Sequence, residues 1–180
     1  ETTGRPQGFM SEIIKDAIIL TAPSWSDFLA ARLQASKKPQ IAVNNQAAGG
    51  NAVLSGGLGP PLLQRYHRDA LQQNGARYVL VFEGANDIGT SPTDDLTQRQ
   101  LTERLINAYA EIVAACKKAN MRTIGATITP FTGSQYGDAR REETRLKVND
   151  WILNNGMCDY AVDFASVIGD GEKLRPKFDS

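Results

Sequence analysis

The chain has 180 residues, enough for one domain with a full core and short for two. Lys plus Arg number 20 and Asp plus Glu number 20, so the formal net charge is zero and nothing electrostatic points to a nucleic acid or an anionic membrane as partner. Hydrophobic residues at 41% and charged residues at 22% describe an ordinary globular chain, and apolar runs such as Tyr78 to Phe82 fall far below the ~20 residues of a membrane helix. No basic, apolar, small-residue leader opens the sequence, so any secretory address is expected to have been removed or never present.

In chain order, Ile13, Ile14, Ala17, Ile18 and Ile19 fall on one side of a short helix that Pro23 stops, although residues 1–23 are the least legible part. Ser24 caps a helix with Trp25, Phe28, Leu29 and Leu33 on its apolar face, ended by Lys37-Lys38-Pro39. Ile41-Ala42-Val43 reads as a short buried strand. A Gly-rich stretch follows (Gly49-Gly50, Gly56-Gly57, Gly59), and Pro60-Pro61 opens a helix ending near Asn74-Gly75. Tyr78 to Phe82, continuously apolar, reads as a central parallel strand covered on both faces, broken by Glu83-Gly84-Ala85-Asn86-Asp87. The next helix spans about Thr97 to Ala119. Thr97 and Gln100 form its capping-box pair, Leu101, Leu105, Tyr109, Ile112 and Cys116 its inner stripe, and Asn120 a left-handed cap. A strand over Arg122 to Thr129 ends at Pro130. A helix from about Asp138 to Leu153 carries the i,i+4 pair Glu143 and Lys147 and ends at Asn155-Gly156, after which Tyr160 to Phe164 reads as a buried strand. This alternation predicts one α/β domain over residues 1–180 with a parallel sheet.

Ligands of open parallel sheets bind beyond the carboxyl ends of the strands. Asn44-Asn45-Gln46-Ala47-Ala48-Gly49-Gly50-Asn51 and Gly84-Ala85-Asn86-Asp87 both follow expected strands, and both are rich in glycine and amide side chains. Taken singly, each is a turn in which Gly and Asn tolerate positive φ. Taken together, they offer uncharged N–H donors of the kind that hold a developing negative oxygen. Asp87 reads as a holder of its loop through backbone hydrogen bonds rather than as a proton acceptor.

These residues resemble a family. Asn45-Gln46-Ala47-Ala48-Gly49-Gly50-Asn51 is similar to the second block of the SGNH hydrolases (GDSL-type esterases and lipases), and Gly84-Ala85-Asn86-Asp87 resembles the third, Gly-x-Asn-Asp. Trp25 to Leu33, Leu58-Gly59-Pro60, Gly125 to Phe131, Val148 to Ile152, and Leu174-Arg175-Pro176 with Phe178-Asp179-Ser180 are similar to a carbohydrate-esterase-like branch, so the likeness runs from about Ser24 to Ser180. It implies a three-layer α/β/α sandwich of flavodoxin-like SGNH type and a serine acyl-enzyme mechanism. The Gly50 N–H and the Asn86 side chain would be oxyanion-hole donors. The substrates it implies are short-acyl or acetyl esters, glycan esters included. It implies no metal or organic cofactor and no membrane or nucleic-acid partner, and suggests a secreted protein.

The family's Gly-Asp-Ser block, which carries the nucleophile, and its Asp-x-x-His block are not in this sequence, so the fold is expected to be incomplete. His67, the only histidine, lies between Arg65 and Arg68 on a crossover helix and reads as a solvated or packing residue. Ser55 reads as a turn residue, and Asp179-Ser180 lacks the preceding glycine and strand. Asp94-Asp95 suits a helix N-terminus, Arg140-Arg141 with Glu142-Glu143 a solvated helix face, and Trp25 and Trp151 core packing, with the rim of a groove as the alternative for Trp151. Cys116 and Cys158 are either two free buried thiols or one disulfide closing a loop of 42 residues. The alternative to an enzyme is a non-catalytic α/β binding module that keeps the amide-lined loops.

Overall fold

The computed structural model describes residues 24–36, 41–171 and 173–178, and the chain divides into two compact units, Glu1–Gln46 and Ala47–Ser180. In the first unit, helix α1 (Trp25–Ala35) buries Ser26, Leu29 and Leu33, and the Ser24 N–H donates to Asp27 Oδ2 at 2.9 Å to satisfy its first turn. The expected strand Ile41–Val43 does not form: residues 41–46 adopt no regular element, and Ile41 stands 37% exposed. A strand needs a hydrogen-bonded neighbour, and no described strand pairs with these residues. The helix expected over Ile13–Ile19, the stop at Lys37–Pro39 and Asp179-Ser180 lie outside the described residues.

The second unit is α/β, as expected. Strands β1 (Tyr78–Val81), β2 (Arg122–Ala126) and β3 (Tyr160–Val162) are parallel in the order β1-β2-β3, with Tyr78 beside Arg122 and Ile124 beside Tyr160. The described helices are α2 (Leu62–Tyr66), which continues as a π-helical turn His67–Leu71, then α3 (Ala85–Thr90), α4 (Asp95–Lys118), α5 (Ala139–Asn154) and α6 (Phe164–Ile168). Parallel neighbours require a long crossover, and the helical segments between successive strands supply it.

The α4 stripe Leu101, Leu105, Tyr109, Ile112 and Cys116 is buried as its spacing predicts, and α4 packs on α5 and β2. Its cap is Asp94 rather than Thr97: the Asp94 carboxylate accepts the Thr97 N–H at 2.9 Å, so the helix begins before the predicted pair. Asn120 takes the left-handed conformation, φ 57, that follows the helix end.

β1 lies on the outside of the described sheet, not at its centre. Its faces are nonetheless packed: Val79 and Val81 lie on the cluster Tyr66, Ile112, Cys116 and Met121, while the next residue, Phe82, meets Phe164 edge-on at 5.0 Å between ring centroids. An apolar run therefore reports covered faces, not neighbouring strands. The strand expected to reach Phe164 ends at Val162, and buried Phe164 opens α6, capped by Asp163 accepting the Ser166 N–H. The expected solvated face on α5 is also corrected. Glu142 is buried against Arg145, itself 1% exposed, which donates to the Ile128 carbonyl at 2.9 Å; Arg140 and Glu143 remain at the surface. Trp151 stacks on Tyr109 at 6.1 Å, against the core. Both cysteines are free buried thiols, with burial pushing Cys116 up to about 11 and Cys158 upward as well. No described helix is long and apolar enough to cross a membrane, and no group of metal-ligating side chains assembles among the described residues.

Candidate functional site

β1 delivers the chain to the carboxyl edge of the sheet, where Gly84 turns it into α3 at φ 115. Only glycine fits: a Cβ there would be strained and would stand 2.5 Å from Tyr109 Oη and 2.9 Å from Ile128 Cδ1. Through this close approach Tyr109 donates its hydroxyl to the Glu83 carbonyl at 2.7 Å. The first turn of α3 then presents Asn86 and Asp87 to a single loop, residues 51–60.

Asp87 accepts the Val53 N–H at 2.8 Å on one oxygen and the Leu54 N–H at 2.9 Å on the other. With both oxygens bonded to loop amides Asp87 clamps the loop, as expected; burial raises its pKa and the two amides oppose that rise. Asn86 is held at both ends of its amide. Its Nδ2 donates to the Asn51 carbonyl at 2.8 Å, and its Oδ1 accepts the Tyr136 hydroxyl at 2.9 Å. Tyr136 reaches it across Gly89, which follows Asn86 by three positions on the same helix face; a Cβ on Gly89 would come within 2.7 Å of ring Cδ1 and closer still to Cγ and Cδ2. With the oxygen end fixed by Tyr136, the Nδ2 end is fixed too, and Asn51 accounts for one of its two hydrogens.

On the facing loop, Gly50 sits at φ 72 with its carbonyl accepting the Leu58 N–H at 2.8 Å, and its own N–H has no hydrogen-bond partner among the described residues. Asn51 follows it directly, so Asn86 Nδ2 lies against the carbonyl of the residue next to Gly50. Leu58 leans on Gly50, where a Cβ would meet its Cδ1 at 2.9 Å, yet its side chain is 70% exposed. Asn51 is 1% exposed: its Nδ2 donates to the Leu58 and Pro60 carbonyls, each at 2.9 Å, and its Oδ1 accepts from Arg65 Nε at 3.0 Å and Nη2 at 2.8 Å. Arg65 also binds Asp69 at 3.0 Å and stands 3.7 Å from Glu83 Oε1. Burial pushes the Glu83 carboxyl up to about 7, with Arg65 opposing the rise and Asp87 adding to it.

Of the other candidates, His67 is exposed on the π-helical turn with its ring beside Tyr66, centroids 5.6 Å apart, and Ser55 is an exposed loop residue. A family model for the GDSL-like Lipase/Acylhydrolase family matches residues 7–177. The chain belongs to this family. It is therefore of ester-hydrolase type, and both amide-lined loops of this GDSL-like chain fall within the match. No curated protein matches the sequence.

Arg65, Glu83, Gly89, Tyr109 and Tyr136 complete the arrangement and were not legible as site residues. Tyr136 approaches Asn86 across 50 residues and Arg65 approaches Asn51 across 14, distances over which no sequence periodicity operates. A faint signal was Arg65 itself, an arginine on the apolar side of a short helix.

Proposed function

We propose that this chain supplies the oxyanion-binding part of a serine ester hydrolase, with the Gly50 N–H and Asn86 Nδ2 as donors and with the nucleophilic serine, histidine and aspartate outside these 180 residues. The observation that carries the reading is the fixation of Asn86 at both ends of its amide, beside a loop whose Gly50 N–H makes no bond to a described residue. Donors held in place before the reaction pay no reorganisation when charge develops, and each is worth about 3–4 kcal/mol in the transition state. The serine would attack the ester carbonyl, the oxygen turning negative would be held by the two amides and the serine's own N–H, and water would release the acyl group. The exposed Leu58 side chain beside Gly50 offers a small apolar surface for a short acyl group; acetylated glycans enter this reading through the sequence resemblance alone.

In the protein that carries this chain, hydrolysis of p-nitrophenyl acetate is the test. Asn86→Ala is expected to lower kcat by about 10²–10³-fold with little change in KM, because the donor acts on the transition state. An unchanged kcat removes Asn86 from the hole. Binding of acylated glycans without turnover would indicate a non-catalytic module.

A further inference from the structure

The hydrogen bonds described for buried Arg65 go to Asn51 and Asp69 rather than to the candidate donors themselves. Asn51 joins the two: it is peptide-bonded to Gly50, and its carbonyl receives Asn86 Nδ2. Its amide has two hydrogens and two acceptor positions, and all four are engaged, the hydrogens by Leu58 and Pro60 and the acceptor positions by Arg65. A flipped Asn51 amide would aim its oxygen at two carbonyls and its NH₂ at a guanidinium. Arg65 therefore leaves Asn51 one orientation. The guanidinium is anchored in turn by Asp69, four residues along the same helical segment, and approaches Glu83 beyond the end of β1. A charge only 8% exposed is an expensive way to stabilise a loop, since apolar packing does so without desolvating an ion, but it suits the fixing of one geometry among several.

We propose that Arg65, acting through Asn51, is a positioning residue that sets the placement of Asn86 Nδ2 relative to the Gly50 N–H. The proposal rests on the oxyanion-hole reading for its catalytic consequence, but not for its structural one. Arg65 reaches no reacting atom. It fixes the conformation of residues 50–60, and the Asn51 carbonyl passes that geometry to Asn86.

The test compares Arg65→Met, Arg65→Lys and Asn51→Asp in the protein that carries this chain, by esterase kinetics and by NMR of the Asn86 side-chain NH₂. Arg65→Met is expected to shift the Asn86 NH₂ resonances and to lower kcat by about 10–100-fold with KM within about twofold, the scale of a donor misplaced by about 1 Å. Arg65→Lys, able to reach Asn51 Oδ1 with one donor, recovers part of that loss. Should Arg65→Met not fold, Asn51→Asp serves instead: it keeps the acceptors for Arg65 but turns the donors facing Leu58 and Pro60 into acceptors, and the same kcat-only loss and resonance shift are expected. Unmoved Asn86 resonances in a folded variant overturn the proposal, as does a lowered melting midpoint with kcat unchanged. Shifted resonances in a protein that hydrolyses no ester uphold the positioning and sink the esterase reading instead.

Discussion

Gly89→Ala sets two principles in opposition within the site. In a helix that nothing touches, the change stabilises by about 1 kcal/mol, because alanine loses less conformational freedom on folding. At this position the new Cβ would enter the Tyr136 ring, 2.7 Å from Cδ1 and nearer to two other ring atoms, where carbon atoms settle at about 3.5–4 Å. The ring must move by about an ångström or more, and overpacking of this kind costs about 1–3 kcal/mol. A shift of that size also breaks the 2.9 Å hydrogen bond from the Tyr136 hydroxyl to Asn86 Oδ1, a further ~1 kcal/mol. The sum favours destabilisation by about 1–3 kcal/mol, or roughly 2–12 °C in Tm for a chain of this size. Thermal denaturation followed by circular dichroism checks it, together with the cycle Gly89→Ala, Tyr136→Ala and the double variant, for which the coupling is expected at about 1–3 kcal/mol. Tyr136→Phe isolates the hydroxyl: it keeps the ring, frees the Asn86 amide and is expected to lower kcat about five- to tenfold. A Tm that rises on Gly89→Ala, as helix propensity alone dictates, would refute the packing of Tyr136 on α3.

The Glu83 carboxyl, raised by burial from its ordinary 4.5 to about 7, stays protonated in the folded chain where the unfolded chain has already released the proton, so its contribution is complete below about pH 4.5 and is lost as pH rises through 7. Stability measured against pH should fall across that window. Glu83→Gln should flatten the fall, leaving the smaller part that the likewise raised Asp87 contributes, and an unaltered profile would show that Glu83 is ionised throughout. Leu58→Ser, at a side chain 70% exposed, is expected to leave Tm within about 1 °C and to lower kcat/KM for a butyrate ester more than for an acetate ester; equal effects on both would place Leu58 outside the acyl site.

The sequence by itself determined what depends on near neighbours along the chain. The α4 stripe from Leu101 to Cys116 follows from a 3.6-residue period, and the left-handed Asn120 from the end of a helix. The glycine at 84 marked where the strand expected from Tyr78 to Phe82 is broken, although the pattern did not show the short helix α3 that starts there; the family match covers residues 7–177. Tertiary structure decided whatever required two distant segments to meet. An apolar run could not say how many strands flank β1, because burial of its faces and pairing of its edges are separate requirements. Ile41–Val43 has strand-forming residues, and no described strand pairs with them. The charged run at 140–143 looked solvated until the α4–α5 packing enclosed Glu142 with Arg145. The candidate site divides in the same way: its two loops stand out as rich in glycine and amides, and the donor roles proposed for Gly50 and Asn86 come from the family resemblance, whereas the contacts of Arg65 with Asn51 and of Tyr136 with Asn86 exist only once loops from separate parts of the chain stand within hydrogen-bonding distance, which local pattern does not encode.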